Sequence, residues 1–276
     1  MSEEKAVSRS TSLITAETLR KDLESLGVRE GMTLIVHSSL SSIGWVCGAE
    51  QAVIQSLLSA VGEQGTIVMP SQSLGNSDPK YWQNPAVPEE WWDGIREGMP
   101  AYDPETTPTR GMGRVAELFR TFPEARRSGH PTVSFSAIGR LAEEMTETHS
   151  TDLPFGEESP LAKLYDAGSM VLLIGVGYGN STSMHLGEYR AGGLKTYKQS
   201  SAMMEDGKRI WKTYTEAEVD SDRFPEIGRA FEKEHSVIKG KLGQADCLMM
   251  SQKDIVDFTV KWLQKEKGGQ INEFEA

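Results

Sequence analysis

A chain of 276 residues with 38% hydrophobic and 25% charged positions is long enough to bury a full core, and 29 basic against 40 acidic residues leave a formal charge of −11. That sign opposes a phosphate backbone and disfavours nucleic acid as a partner; it suits a cationic ligand, and equally serves solubility alone. Cys47 and Cys247 form no CxxC pair, residues 1–15 lack a signal peptide's apolar region, and no stretch approaches the roughly 18 apolar residues of a membrane span, so a cytoplasmic protein with no membrane partner is expected.

Residues 1–11 are polar and are expected to be unstructured. Leu19, Leu23 and Leu26 then fall at helical spacing before Gly27, and Thr33 to His37 reads as a buried strand. Val53, Ile54, Leu57, Leu58 and Val61 make the next apolar helical stripe, followed by a strand at Thr66 to Met69. Residues 74–107 break the alternation. They carry several prolines, the aromatics Tyr81, Trp82, Trp91, Trp92 and Tyr102, and seven acids against two bases, and such a segment is predicted to be a long functional loop.

Val115 to Phe122 marks another helix, and Val133 to Ile138 alternates as a half-buried strand does. Ser159-Pro160 is an N-cap with proline at the first helical position, and Met170 to Ile174 reads as a central strand. A short glycine-containing loop, Gly175 to Asn180, then feeds a helix starting near Ser181. A hairpin (Thr196–Met203 with Lys208–Tyr214), a helix near Asp222–His235 and a last helix announced by Ser251-x-x-Asp254 complete one α/β domain spanning 1–276.

Thr182, His185 and Glu188 are three apart and share one face at the start of the helix after the central strand. A carboxylate one turn from an imidazole can set its tautomer and raise its basicity, as a general base requires, while a hydroxyl and free backbone N–H groups at the helix start suit an oxyanion. His-x-x-Glu taken alone also describes a surface pair or a satisfied core histidine. No further ligands are visible for a metal, and none is expected. Gly179-Asn-Ser181-Thr-Ser183 lacks the second glycine of a serine-hydrolase elbow. Cys47 reads as an inert packed residue. The glycines and arginines of Pro108 to Arg114 offer N–H groups and charge to a phosphate, and equally describe a tight turn with solvated arginines. His37 to Gly44 ends the first strand in small hydroxyl residues, which suits either close approach to a ligand or a polar turn.

His37-Ser38-Ser39-Leu40 with Gly44, Asp103 to Gly113, Gly129-His130-Pro131 with Ser134, Phe135, Ala137 and Gly139, Ser159-Pro160-Leu161 with Leu164-Tyr165, and Asn180 to Glu188 together resemble the aminoglycoside 3-N-acetyltransferase family, in order from about residue 12 to 265. The resemblance implies a single three-layer α/β/α domain, here with the acidic, aromatic insertion and a C-terminal hairpin-plus-helix region. It implies acetyl transfer from acetyl-CoA to an amino group of the 2-deoxystreptamine ring, directly and without an acyl-enzyme. By position, His185 would be the general base, Glu188 its orienting carboxylate and Thr182 the group stabilising the oxyanion. The CoA contacts would come from His37, Ser38, Ser39, Leu40, the loop Thr109, Arg110, Gly111, Met112 and Gly113, and His130, Ser134, Phe135 and Ala137. For the cationic drug, charge and stacking surface single out Asp78, Trp82, Asp103, Asp152, Glu157 and Glu158. A homodimer is compatible with this reading. The competing readings are an amidase or other hydrolase on the same Thr/His/Glu face, a non-catalytic acyl-CoA binder, and an acetyltransferase for another amine.

Overall fold

A computed structural model of the protein describes residues 3–274. In chain order the helices are α1 (Glu3–Arg9), α2 (Ala16–Ser25), α3 (Leu40–Ile43), α4 (Ala49–Val61), α5 (Trp92–Gly98), α6 (Gly113–Phe119), α7 (Ala142–Thr146), α8 (Pro160–Asp166), α9 (Ser183–Ala191), α10 (Phe224–Glu234) and α11 (Gln252–Phe274). The strands are β1 (Thr33–Ser38), β2 (Thr66–Pro70), β3 (Arg126–Arg127), β4 (Phe135–Gly139), β5 (Met170–Ile174), β6 (Thr196–Glu205), β7 (Lys208–Ala217), β8 (Ile238–Leu242) and β9 (Ala245–Ser251). Seven of them form one mixed sheet in the order β3-β4-β2-β1-β5-β9-β8, with β1 parallel to both β2 and β5.

Side chains alternate across a strand, and here the alternation divides the core into two. Leu34, Val36, Leu172 and Ile174 join the cluster under α2, α4 and α6, whereas Ile35, Val171 and Leu173 join the one under α8, α9, α10 and α11. Helices on both faces explain why β1, β2 and β5 read as continuous apolar runs. The same burial corrects the half-buried expectation for residues 133–138: Phe135, Ser136, Ala137 and Ile138 are all buried, because β4 lies between β2 and β3 with both faces covered.

Ser159 caps α8 through Ala162 N–H with Pro160 at the first turn, as its sequence predicts. The β8–β9 hairpin that completes the sheet beyond β5 was not anticipated, although Ala245, Cys247 and Met249 alternate inward along it. Where an unstructured start was expected, Glu3–Arg9 is helical, and Ser10 beyond it accepts a hydrogen bond from Trp45 N–H at 2.7 Å. Residues 1 and 2 of that expectation lie outside the described residues.

Residues 74–107 wrap the two-stranded β6–β7 sheet. Tyr81 donates to Lys198 O at 2.8 Å, Tyr102 N–H to Ala202 O at 2.8 Å, and Arg209 Nε to Met99 O at 2.8 Å. An isolated hairpin is marginal in water, so the segment's aromatics and carbonyls secure the one strand pair that lies outside the main sheet among the described residues. No helix among the described residues is long and apolar enough to cross a membrane.

Candidate active site

After β1 the chain leaves toward the α4 side of the sheet, and after the neighbouring parallel strand β5 it leaves toward α9 on the other side. Connections that part in opposite directions open a crevice at the carboxyl ends of the strands, the usual ligand position in open α/β sheets. A cavity of about 840 Å³ occupies it, lined from β1 and its loop by His37, Ser38, Ser39 and Leu40, and from the β5 side by Val176, Asn180, Thr182 and His185.

At its inner wall His185 Nδ1 lies 2.6 Å from Glu188 Oε2, with the two side chains 13% and 7% exposed. A carboxylate only accepts, so Nδ1 carries the proton and Nε2 keeps its lone pair for the cavity. The other oxygen, Glu188 Oε1, accepts from Asp220 N–H at 2.9 Å, which fixes the carboxylate. Phe155 stacks on the imidazole at 5.0 Å and Phe224 tilts against it at 4.8 Å, leaving the ring little freedom.

Two glycines let these pieces approach. A Cβ on Gly187 would sit 2.7 Å from Thr259 Cβ on α11, and one on Gly228 would sit 2.2 Å from the ring of Tyr178, whose hydroxyl donates to Glu232 at 3.1 Å. α9 is thereby seated against α11, and the loop after β5 against α10.

Thr182, His185 and Glu188 come together as expected, but the helix start is less open than its sequence suggests. The N–H groups of Ser181, Thr182, Met184 and His185 already donate to Tyr178 O, Asn180 O, Ser181 O and Thr182 O, so fewer backbone donors remain at the helix start than expected, beside the Thr182 hydroxyl. His37, Ser38, Ser39, Leu40, Gly111, Met112 and Gly113 all line the cavity. Thr109 and Arg110 do not: Thr109 donates both N–H and hydroxyl to Glu117 Oε2, and Arg110 lines a separate cavity of about 430 Å³ behind the loop. His130, Ser134, Phe135 and Ala137 are buried in the sheet and its packing, away from the cavity. Cys47 is exposed, not packed, and does not line the cavity.

A family model described as aminoglycoside 3-N-acetyltransferase matches residues 35–264. The chain belongs to that family. It is 50% identical over 259 residues, 94% of this chain and 95% of the relative, to the SPbeta prophage-derived aminoglycoside N(3')-acetyltransferase-like protein YokD of Bacillus subtilis. The YokD crystal structure matches with a TM-score of 0.94, covering 96% of this chain and 98% of that one at 48% identity. The aminoglycoside N(3)-acetyltransferase VIII of Streptomyces fradiae is 34% identical over 98% of both chains. A solved structure of AAC-IIIb with CoASH matches with a TM-score of 0.84 at 29% identity, covering 92% of this chain and 98% of that one.

The acids singled out for a drug of this enzyme family lie outside the cavity, and most are committed within the protein. Asp78 accepts from Lys80 N–H at 3.0 Å and Arg96 at 2.9 Å, while Trp82 Nε1 donates to Ser77 Oγ at 3.0 Å. Asp103 closes its own turn with Glu105 and Thr106, Asp152 accepts from Thr215 N–H at 2.6 Å, and Glu157 holds Arg190 at 2.8 Å. Glu158 is exposed, and its carbonyl accepts from Ser150 N–H at 3.0 Å. Arg114, at the end of the Pro108 to Arg114 segment, lines the cavity, and the lining residues that sequence reasoning missed include Trp45, Gly48 and Ala49, which enter from the turn into α4, together with Gln72 and Ser221. Trp45 ahead of a glycine at a helix start was the available signal.

Proposed function

We propose that this protein transfers an acetyl group from acetyl-CoA to the 3-amino group of the 2-deoxystreptamine ring of aminoglycosides, in the cytoplasm, with His185 as general base. The observation that carries the reading is the His185–Glu188 pair, 2.6 Å apart, at the inner wall of a cavity of about 840 Å³.

The lining suits a long anionic thioester. Arg114, with its side chain 72% exposed, stands at the outer end and bonds Glu50 at 2.8 Å, while the wall between it and His185 is small and hydroxyl-rich at Ser38, Ser39, Gly111 and Gly113. When bound, acetyl-CoA supplies an acyl carbon activated by its bond to sulfur. His185 Nε2 takes the proton that the amine nitrogen loses as its lone pair forms the bond to the acyl carbon, and returns it to the sulfur as the C–S bond breaks. Amide and free thiol are the products. Glu188 holds the ring and stabilises the imidazolium during the transfer, and Thr182 offers its hydroxyl to the acyl oxygen. N-acetylation removes one positive charge and one ammonium donor from the drug, which weakens its grip on ribosomal RNA and accounts for resistance.

The test is thiol release from acetyl-CoA with a panel of deoxystreptamine aminoglycosides and simple polyamines, with product masses recorded. A mass gain of one acetyl group on the drug, placed on the ring by fragmentation, is expected. Thiol release with only a polyamine modified would reassign the acceptor, and cleavage of N-acylated drug without CoA would overturn the transferase for a hydrolase.

A further inference from the structure

The cavity holds a second imidazole. His37 is the penultimate residue of β1, and the alternation that sends Ile35 into the α9-side core sends His37 to the same side, toward α9 and His185. The residue is 9% exposed and lines the cavity, yet its buried Nε2 meets no hydrogen-bonding partner among the described residues. A buried polar group left unpaired is costly, so such a group in a packed site calls for a partner.

We propose that His37 is a further catalytic residue, donating its ring N–H to the carbonyl oxygen of the acyl group while His185 takes the amine proton. The inference rests on the acetyl-CoA reading of the same cavity. The backbone N–H groups at the start of α9 are largely committed to carbonyls, and the Thr182 hydroxyl and the His37 ring are side-chain donors that line the cavity with His185. Burial, with His185 nearby, pushes the His37 imidazole down to about 3, so at neutral pH it is uncharged. An uncharged imidazole still carries one N–H for polarising a carbonyl, is too weak a base to compete with His185, and adds no charge to repel a cationic amine. The bonds made and broken are those of the transfer itself; His37 holds its proton throughout.

The test reads the carbonyl directly. Carbonyl-labelled acetyl-CoA is bound without acceptor and its infrared C=O stretch compared with that of the free thioester, while CoASH affinity is measured by calorimetry. In the native protein the bound band is expected at lower frequency than the free one. In His37→Leu it should return toward the free position, with CoASH affinity falling less than acetyl-CoA affinity, because CoASH lacks the acyl carbonyl. Turnover should fall by about 10²-fold, the effect of losing one such donor, and His37→Asn, which restores an N–H, should recover part of both band shift and rate. An unshifted band in the native protein overturns the proposal without any variant, and so does native band and turnover in His37→Leu. Failure of the native protein to bind CoASH would overturn the cofactor reading and this proposal with it, whereas CoASH binding with an unshifted band overturns this proposal alone.

Discussion

His130 and His149 lie with ring centroids 4.9 Å apart, and each ring nitrogen of the pair is committed. His130 Nδ1 accepts from Val133 N–H at 3.1 Å and its Nε2 donates to Thr151 O at 3.3 Å; His149 Nδ1 accepts from Ser128 Oγ at 2.9 Å and its Nε2 donates to Pro154 O at 2.8 Å. His37 and His185 are also well buried, but only His185 Nδ1 is engaged, and both rings face a cavity. A histidine's burial and residue type therefore do not separate structure from chemistry. What separates them is whether the nitrogens have been used up by the fold.

The sharpest way to break the contrast is to truncate one member of each pair. His185→Ala should lose roughly 10²–10⁴-fold in turnover while keeping CoASH affinity and most of its stability. His149→Ala should do the reverse, lowering the unfolding midpoint and leaving turnover per folded molecule unchanged; a catalytic loss there would erase the distinction. Gly187→Ala comes next. Its Cβ would press on Thr259 Cβ and on Val256 O of α11, which have little room to give. A loss of about 1–3 kcal/mol by chemical denaturation is expected, with some loss of turnover as α9 shifts.

The acid limb of stability sharpens the same comparison. Burial lowers the imidazole of His149 from about 6.5 to about 4 and that of His130 well below its usual value, and His37 shares the direction. The unfolded chain therefore binds protons that the folded chain refuses. The contribution is complete above pH 6.5 and drains away as pH falls from there through about 4, with a slope of up to about 1.4 kcal/mol per pH unit for each histidine. Urea midpoints measured across that range should flatten in His149→Gln. An unchanged slope would mean that His149 is protonated in the folded state.

Much of this was legible in the sequence because it is local. The Thr182, His185 and Glu188 face needs only helical spacing, and Ser159-Pro160 and the runs of β1, β2 and β5 need only neighbours along the chain. Long-range geometry hid the rest. His130, Ser134, Phe135 and Ala137 belong to a family motif, yet the motif's place in the fold is β4 and its packing, which no spacing rule reports. Trp45 and Gln72 reach the cavity only because the loops after β1 and β2 end beside each other. Residues 74–107 are acidic and aromatic in a way that suggests a drug-facing wall, and only the partners on β6 and β7 show that several of those groups hold the hairpin.

Asp78 gives the smallest expected effect and the finest test of that last point. Its carboxylate caps the turn at Pro79–Tyr81 through Lys80 N–H and meets Arg96, which is also held by Asp93 at 2.9 Å. Asn caps a turn as well as Asp does, and Arg96 keeps its second acid, so Asp78→Asn should cost only about 1 kcal/mol of stability. KM for the acceptor amine should not move, because the side chain is turned into the protein and lies outside the cavity. Were KM for drugs with several amines to rise while stability held, the carboxylate would be counted as a ligand for cationic substrate, and net acidity along a loop would have proved a better guide to the drug than the hydrogen bonds its acids make at home.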